Sequence, residues 1–230
     1  MIETLAATRA LAREAHLLDV VSRAPDQRFV WFWSSPQGLI APRNLAVKPG
    51  FQAASARSAN AGWPVAVRST GGDVTPQGSG IVNVTHVYAR ASGGPVDLAE
   101  EYNRICAPIC DVLGQGASVG WQPGAFCDGA YNVQFGGLKF AGTAMRFRPA
   151  RADKTRYAIL AHALMLYAPP SAEAIHALNR FLGDMGEPRV IDMAAHTGLP
   201  EGVSPNDFSQ RLHGAFSELL SDSLGDLAAV

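Results

Sequence analysis

The chain has 230 residues, a formal net charge of −1, and 47% hydrophobic against 17% charged residues. This composition excludes intrinsic disorder, and the near-neutral charge gives no electrostatic reason to expect nucleic acid or an anionic membrane as a partner. No apolar run approaches the roughly 18 to 20 residues that span a bilayer, and the charged N-terminus does not resemble a secretory signal. The odd number of cysteines argues against a disulfide framework. We therefore expect a cytoplasmic globular protein.

The first half of the chain alternates helical and strand-like segments. Residues 5–23 have the apolar spacing of an amphipathic helix, with Thr4 as its candidate N-cap, and residues 50–61 predict a short helix. Runs rich in β-branched and aromatic residues predict short strands, at 28–33, 38–41, 64–68 and 81–88. A glycine-rich loop, residues 69–80, separates the last two strands.

The second half contains the clearest helix, at residues 95–114, whose apolar residues share one face. Pro108 inside this pattern predicts a kink or a break. We expect Cys106 and Cys110 to be buried, unreactive thiols, because a metal site would need further soft ligands nearby. The remaining strands and helices are predicted at 117–121, 126–146, 157–167, 172–183 and 206–221. Strands in the middle with helices around them predict an α+β fold, with a mixed or antiparallel β-sheet core flanked by helices.

Lys139 is one of three lysines in an arginine-rich chain, and it follows a glycine turn between two predicted strands. A lysine ammonium is a compact charge with three donors, and its pKa responds to burial. Two interpretations remain open from the residues alone. Lys139 is either the solvent-facing lysine of a hairpin or a functional ammonium.

The glycine-rich loop follows Arg68 and contains the pair Gly71 and Gly72. Consecutive glycines allow backbone amides to approach an anion closely, and the arginine adds a positive charge. The spacing matches neither a P-loop nor a dinucleotide fingerprint. A long turn between two strands is the alternative interpretation.

These two stretches, in this order, resemble the catalytic domain of the lipoate–protein ligase A / biotin–lipoate ligase family, which includes related octanoyltransferases. That family has an Arg-Arg-x-x-Gly-Gly-Gly-Ala-Val-x-His loop, matched here by residues 68–77, and a Gly-Arg-Lys-Ile-Ala-Gly-Ser/Thr-Ala segment, matched by residues 136–146. His162 falls where the family has a His-Gly pair. The resemblance implies a fold of the class II aminoacyl-tRNA synthetase and biotin ligase type, with a catalytic domain over residues 1–185. It leaves residues 186–230 as a helical extension packed on the same domain.

The resemblance also implies a chemistry. The matching lysine contacts the carboxylate or carbonyl of lipoate or octanoate, so Lys139 would stabilise a developing oxyanion. The glycine loop would line the acyl chain and, in ligases, cradle the phosphate of an acyl-adenylate made with ATP and Mg²⁺. The acceptor would be a lysine of a lipoyl carrier domain or of the glycine-cleavage H protein, with an accessory domain or subunit as a further expected partner. No resident metal site is predicted. The residues assigned to acyl or nucleotide binding are Arg68, Thr70, Gly71, Gly72, Asp73, Gln77, Asp128, Asn132, Gly142, Thr143, Ala144 and His162.

The chain departs from the family pattern in two places of the glycine loop. Asp73 stands where the third glycine is expected, and Gln77 replaces the histidine. A carboxylate beside a phosphate site is repulsive unless a metal ion bridges the two groups. Residues 186–230 are also too short to form the C-terminal accessory domain that the ligases commonly carry. The use of ATP is therefore open.

Cys127, 12 residues before Lys139, offers another source of an activated acyl group. A second branch of the superfamily uses a cysteine thioester without ATP, with the cysteine near the position of Gly124. A thiol beside a lysine can be a competent nucleophile, and an ordinary loop or core residue is the alternative. The sequence thus predicts an enzyme that attaches lipoate or octanoate to a carrier lysine by adenylation. A Cys127 thioester route and a non-catalytic acyl-binding protein are the alternatives.

Overall fold

A computed structural model describes residues 2–92 and 96–221. In this part of the chain no helix is long and apolar enough to cross a membrane. The elements in chain order are β1 (Glu3–Thr4), α1 (Ala7–Arg23), β2 (Phe29–Ser34), β3 (Gly38–Pro42), α2 (Arg43–Ala46), α3 (Phe51–Asn60), β4 (Val65–Arg68), β5 (Thr75–Gln77), β6 (Ile81–Ala91), α4 (Leu98–Leu113), β7 (Ala117–Gly120), β8 (Asn132–Phe135), β9 (Leu138–Pro149), β10 (Arg156–Leu166), α5 (Ala172–Asp184), a 3₁₀ turn (Met193–Ala195) and α6 (Pro205–Ser221).

The strands form two sheets that together position the site. A seven-stranded sheet has the order β1-β2-β6-β10-β9-β8-β7, and a three-stranded sheet has the order β4-β3-β5. The large sheet is antiparallel apart from the β1–β2 pair, whereas the small sheet joins β3 to β4 in parallel and to β5 antiparallel. The prediction of an α+β fold with a mixed sheet and flanking helices is confirmed.

Helices cover both faces of the large sheet, which explains why its central strands are apolar along most of their length. On one face α4 and α6 pack over a core that includes Ile105, Phe140 and Phe216. On the other face Leu18 and Val21 of α1 pack against β6 and β10. Helices α3 and α5 pack with the small sheet in a separate cluster. The space between the large sheet and the small sheet therefore has strands on both sides.

One local prediction is wrong. Thr4 is not the N-cap of α1, because its backbone pairs with Ser34 in the parallel β1–β2 ladder, and the helix begins at Ala7 after an uncapped Ala6. At Pro108, where a kink or a break was predicted, helix α4 does not break but runs through the proline, with apolar residues on both sides of it buried against the core. The loop predicted at 69–80 also contains a short strand, β5, because residues 75–77 pair with β3.

Glu101 of α4 is the buried charge that most directly tests this packing. Its side chain is fully buried and accepts hydrogen bonds from the Tyr88 hydroxyl and the Arg90 guanidinium. Glu101→Ala should lower the free energy of unfolding by about 3 kcal/mol, because it leaves these donors without their acceptor. Urea denaturation measures this change. Glu100→Ala, on the same helix with a side chain 46% exposed and facing the same arginine, should cost no more than about 1 kcal/mol. Equal losses of unfolding free energy in the two variants would contradict the role of Glu101 as a buried, hydrogen-bonded charge.

Candidate active site

The two sequence motifs meet at a pair of connected pockets. An inner cavity of about 30 Å³ lies between the two sheets, and an outer pocket of about 580 Å³ opens beside it. Cys127, Thr143 and Ala144 line both pockets. The inner cavity is otherwise lined by a mixture of apolar and polar side chains, among them Leu11, Trp33, Ile40, Arg68, Gln77, Asn83, His162 and Leu164. Cys127 therefore lies at the junction of the two spaces.

Lys139 is completely buried, so it is not the solvent-facing lysine of a hairpin. Its ammonium donates hydrogen bonds to the carbonyl oxygens of Phe126 and Cys127, the latter at 2.7 Å. Burial lowers the pKa of Lys139 to about 8, and Arg68 adds to this effect, whereas Cys127 and Asp128 oppose it. The ammonium is thus a buried cation whose three donors are only partly used by the protein.

Glycine at position 142 makes room for this ammonium. A Cβ atom there would lie 2.9 Å from Lys139 Nζ, and Gly142 itself lines the inner cavity. Asn132 donates to the Cys127 carbonyl oxygen at 3.1 Å, so that oxygen accepts two hydrogen bonds. Lys139 itself lines neither pocket. The lysine segment therefore holds the Cys127 loop in place and puts the ammonium directly behind Gly142, which lines the inner cavity.

His196, from the segment before α6, supports the same loop. Its Nε2 accepts a hydrogen bond from the Phe126 N–H at 3.2 Å, and its ring stacks on the Phe126 ring at 4.5 Å. Burial, followed by the charge of Lys139, lowers the pKa of His196 to about 4, so it is a neutral acceptor. In addition, the Thr197 N–H donates to the Lys139 carbonyl oxygen at 2.9 Å. The sequence reasoning missed this histidine, because it is distant from both motifs in the chain.

Cys127 has a left-handed backbone, with φ of 49°, which turns its side chain toward the glycine loop. Its Sγ accepts the Asp73 N–H at 3.4 Å, and a Cβ atom on Gly72 would lie 2.7 Å from Sγ. Arg68 and Lys139 both interact electrostatically with this cysteine. The small Gly72 is therefore required for the approach of the thiol to the loop.

Cys127 is also the thiol that the chain presents to the pockets. A Cβ atom at Gly124 would lie 3.3 Å from the Asp192 Cβ and 3.7 Å from the Ala195 Cβ, so position 124 faces the segment before α6. Cys106 is buried as predicted, whereas Cys110 is only half-buried. Burial raises the pKa of the Cys106 thiol to about 12 and also raises that of Cys110.

Arg68 organises the glycine loop from inside. Its guanidinium is almost fully buried and donates to the carbonyl oxygens of Gly71, Asp73 and Ile40 at 2.6 to 3.1 Å. Burial lowers the pKa of Arg68, although Cys127 opposes the shift. The Arg68 donors are thus engaged by the loop itself.

Arg189 compensates the unexpected carboxylate of the loop. It forms an ion pair with Asp73 and a second one with Asp128 at 3.2 Å, and all three residues line the outer pocket. Burial lowers the pKa of Arg189. Nearby, Lys48 pairs with Glu187. No sequence motif marks Arg189, because only the fold places the segment after α5 beside the two motifs.

The other predicted residues occupy distinct places around the pockets. Gln77 is buried and exchanges hydrogen bonds with the Asn83 side chain, at 2.9 Å for the shorter one. Asp128 and Asn132 line the outer pocket. Thr70 is buried and does not line either pocket, but it contacts His162.

The Thr70–His162 contact continues into a buried polar chain. The Thr70 hydroxyl lies 3.0 Å from His162 Nε2, and His162 Nδ1 lies 3.2 Å from both carboxylate oxygens of Glu14. Glu14 belongs to α1 and is almost completely buried. The sequence contained a signal for it, since Glu14 lies seven residues before Val21 on the apolar face of the predicted helix.

The site joins a buried lysine to a glycine loop through the Cys127 loop that lies between them, and comparison with known proteins identifies the family. The family model described as the lipoyl protein ligase A/B catalytic domain matches residues 6–217. The chain belongs to this family, and the resemblance inferred from the two motifs is confirmed. It is an enzyme of the group that comprises lipoate–protein ligases and octanoyltransferases.

Two curated relatives are similar in sequence. An uncharacterized protein of Cupriavidus necator is 29% identical over 226 residues, which cover 93% of this chain and 88% of the relative. The octanoyl-[GcvH]:protein N-octanoyltransferase of Kyrpidia tusciae is 35% identical over 144 residues, which cover 60% of this chain and 49% of that enzyme. The second match thus spans about half of the curated enzyme.

Solved structures share the fold. The lipoate-protein ligase A bound with ATP has a TM-score of 0.62 at 19% identity, covering 96% of this chain and 85% of that one. A bi-partite lipoate protein ligase from Thermoplasma acidophilum, described with its E2 lipoyl domain, has a TM-score of 0.58 at 18% identity and covers 96% and 84% of the two chains. At these identities the likeness establishes the fold.

The burial of Lys139 predicts a pH dependence of stability. With a folded pKa of about 8 against an ordinary 10.5, the folded state loses this proton at lower pH than the unfolded state. The cost of burying the cation is fully present below pH 8 and is relieved as the pH rises toward 10.5. Wild-type stability relative to Lys139→Met should therefore rise by on the order of 3 kcal/mol across this window. Denaturant titrations of both proteins measure the difference, and a difference that stays constant with pH would contradict the burial of a charged ammonium.

Proposed function

We propose that this enzyme transfers a lipoyl or octanoyl group to a lysine side chain of a carrier domain, and that Cys127 holds the acyl group as a thioester during transfer. The position of Cys127 carries the proposal. The thiol lies at the junction of an inner cavity and a wide outer pocket, next to Arg68 and the buried ammonium of Lys139.

The names of similar proteins support the acyl group and the carrier. The Kyrpidia tusciae relative is named as an octanoyltransferase that acts from octanoyl-GcvH to a protein. The Thermoplasma acidophilum ligase is described together with an E2 lipoyl domain. A carrier lysine therefore serves as the acceptor in this proposal, and an acylated carrier serves as the donor.

The residues suit a two-step transfer. In the first step the Cys127 thiolate attacks the acyl carbonyl of the donor, the C–S bond forms, the amide C–N bond breaks, and the donor amine leaves with a proton. In the second step the acceptor amine attacks the thioester, the C–N bond forms, and the thiolate leaves. Lys139 stabilises the oxyanion of both steps, because its Nζ lies against Gly142 at the cavity wall and has a donor to spare.

The inner cavity must enlarge to hold an acyl chain. Its volume of about 30 Å³ is that of roughly one water molecule, whereas ligand pockets usually have several hundred Å³. Apolar walls from Leu11, Trp33 and Leu164 suit an alkyl chain once the two sheets separate slightly. The outer pocket is already open and gives room for the carrier lysine.

The arrangement of charges fits a bound ATP and Mg²⁺ poorly. The cations Lys48 and Arg189 of the outer pocket are each paired with carboxylates. In the glycine loop, the Asp73 N–H is engaged by Cys127 Sγ and the Val74 N–H by the Asp73 carboxylate. The Asp73 carboxylate and the thiol thus occupy two of the loop N–H donors that a bound phosphate could use.

Adenylation with ATP is the second candidate. The volume of the outer pocket is in the range of nucleotide-sized sites, and a ligase of the same fold is known with ATP bound. This route requires Arg189 to release Asp73 and the thiol to leave the loop. The two routes differ in whether acyl transfer needs ATP and in whether it needs Cys127.

Mass spectrometry of a lipoyl carrier domain distinguishes them. The enzyme is incubated either with an octanoylated donor carrier or with free lipoate or octanoate, with and without ATP and Mg²⁺. We expect transfer from the donor carrier without ATP, together with a hydroxylamine-labile acyl adduct on the intact enzyme. Cys127→Ser should abolish this adduct and lower the rate by about 10³-fold or more.

Cys110→Ser is the matched control, since Cys110 lies outside both pockets and should leave the transfer unchanged. Acylation that requires ATP and survives Cys127→Ser would reject the thioester and support adenylation. Acylation under none of these conditions would reject the proposed function.

A second prediction tests the site of the ammonium. Gly142→Ala should displace Lys139 Nζ, because the new Cβ would lie 2.9 Å from it, and should lower kcat by about 10²-fold. Gly183→Ala, where a Cβ has no neighbour within 4 Å, should leave kcat unchanged. The two variants are compared in the same carrier assay. Full activity of Gly142→Ala would show that the transfer does not depend on the position of this ammonium.

A further inference from the structure

A buried series of side-chain hydrogen bonds runs from Trp33 to Thr70. The donor and acceptor in each of these hydrogen bonds follow from the group that can only donate. The Trp33 indole N–H can only donate, and it donates to Thr85 Oγ1 at 3.0 Å. The Thr85 hydroxyl therefore directs its own proton to Glu14 Oε1, at 2.7 Å. Glu14 accepts this hydrogen bond and is left to accept a second one from His162.

This order of donors and acceptors determines the tautomer of His162. Because the Glu14 carboxylate is an acceptor, the proton of the neutral imidazole lies on Nδ1, which is 3.2 Å from both carboxylate oxygens. The lone pair of Nε2 then faces the Thr70 hydroxyl at 3.0 Å and accepts its proton in the hydrogen bond. A hydroxyl, an imidazole base and an orienting carboxylate thus stand in line.

The surroundings favour a proton-accepting imidazole. The charged or titratable groups placed around His162 are Glu14 from α1, with Arg68 and Cys127 across the inner cavity. Its cross-strand neighbours, Thr85 and Ala144, are uncharged. Glu14 contacts the imidazole directly, so a positive charge that forms on the ring is compensated at short range.

We propose that Glu14 is a positioning residue for proton transfer. It holds His162 with Nδ1 protonated, so that Nε2 accepts, through the Thr70 hydroxyl, the proton that the acceptor lysine loses when it attacks the acyl group. This role rests on the proposed function, although it applies to a thioester and to an adenylate alike, because the attacking amine loses a proton in both.

The proton balance of the second step is then complete. The acceptor amine forms the C–N bond and passes a proton to Thr70 Oγ1, while the Thr70 hydroxyl passes its own proton to His162 Nε2. The C–S bond breaks, and the electron pair leaves with the Cys127 sulfur. Thr70 is buried and lines neither pocket, but it directly precedes Gly71, which lines the outer pocket. The proposal therefore requires the glycine loop to move enough for the entering amine to reach the Thr70 hydroxyl. After the transfer the proton passes from His162 to the Cys127 thiolate, and in the first step of the next cycle it leaves with the donor amine.

Ring-nitrogen NMR of ¹⁵N-histidine protein tests the orientation independently of activity. The wild-type His162 should show a protonated Nδ1 and an unprotonated Nε2 at pH 8, and Glu14→Gln should weaken this tautomer preference, because a carboxamide can also donate to the ring. The opposite tautomer in the wild type would overturn the proposal. A wild-type enzyme that acylates no carrier would reject the proposed function. The NMR result alone would then decide whether Glu14 holds His162 with Nδ1 protonated.

The pH profile of transfer tests the proton path. Glu14→Gln should lower kcat by about 10²-fold at an unchanged KM and change the pH profile of kcat. Thr70→Val should lower kcat similarly, whereas Thr70→Ser, which retains a hydroxyl, should keep most of the activity. Glu100→Gln, an exposed glutamate on α4, is the control and should leave the profile unchanged. Glu14→Gln or Thr70→Val proteins that fold and keep both the wild-type kcat and the wild-type profile would overturn the proposal.

Discussion

The burial of one ammonium, that of Lys139, is the constraint on which the rest of the site depends. A buried cation is costly unless it is hydrogen-bonded, and this one is held by the carbonyl oxygens of Phe126 and Cys127. Those two carbonyls can converge only if their loop adopts a tight path, which the left-handed backbone of Cys127 provides. The position of the Cys127 thiol is thus a consequence of the hydrogen bonds that the Lys139 ammonium donates to this loop.

Pairing of opposite charges also explains the rim of the outer pocket. Asp73 places a carboxylate in a loop that otherwise presents amides, and the Arg189 ion pairs join it to Asp128 across the pocket. Arg68, beneath them, directs its donors at the loop carbonyls. Each charge around the pockets has a partner from a different segment of the chain, so the site is held together by contacts that cross between elements.

Local signals in the sequence were enough for several elements. The strands around the glycine loop and the helix at α4 followed from periodicity, whereas the pairing of the two motifs followed from their resemblance to the lipoate–protein ligase family. The capping of α1 was wrong, because a parallel strand pair claimed Thr4. Of the kink or break expected at Pro108, the break does not occur, because burial of apolar residues on both sides of the proline outweighs one missing hydrogen bond.

The sequence by itself determined the α+β class, through regular spacing, and the family, through the resemblance carried by two short motifs. It also marked Lys139 as a candidate functional residue. Only the tertiary structure decided that Lys139 is buried, that Cys127 rather than position 124 faces the pockets, and that Glu14 and Arg189 belong to the site. The physical reason is that hydrogen bonds and ion pairs are satisfied in space. Glu14 lies 148 residues from His162 and Arg189 lies 61 residues from Asp128, so no local pattern could have paired them.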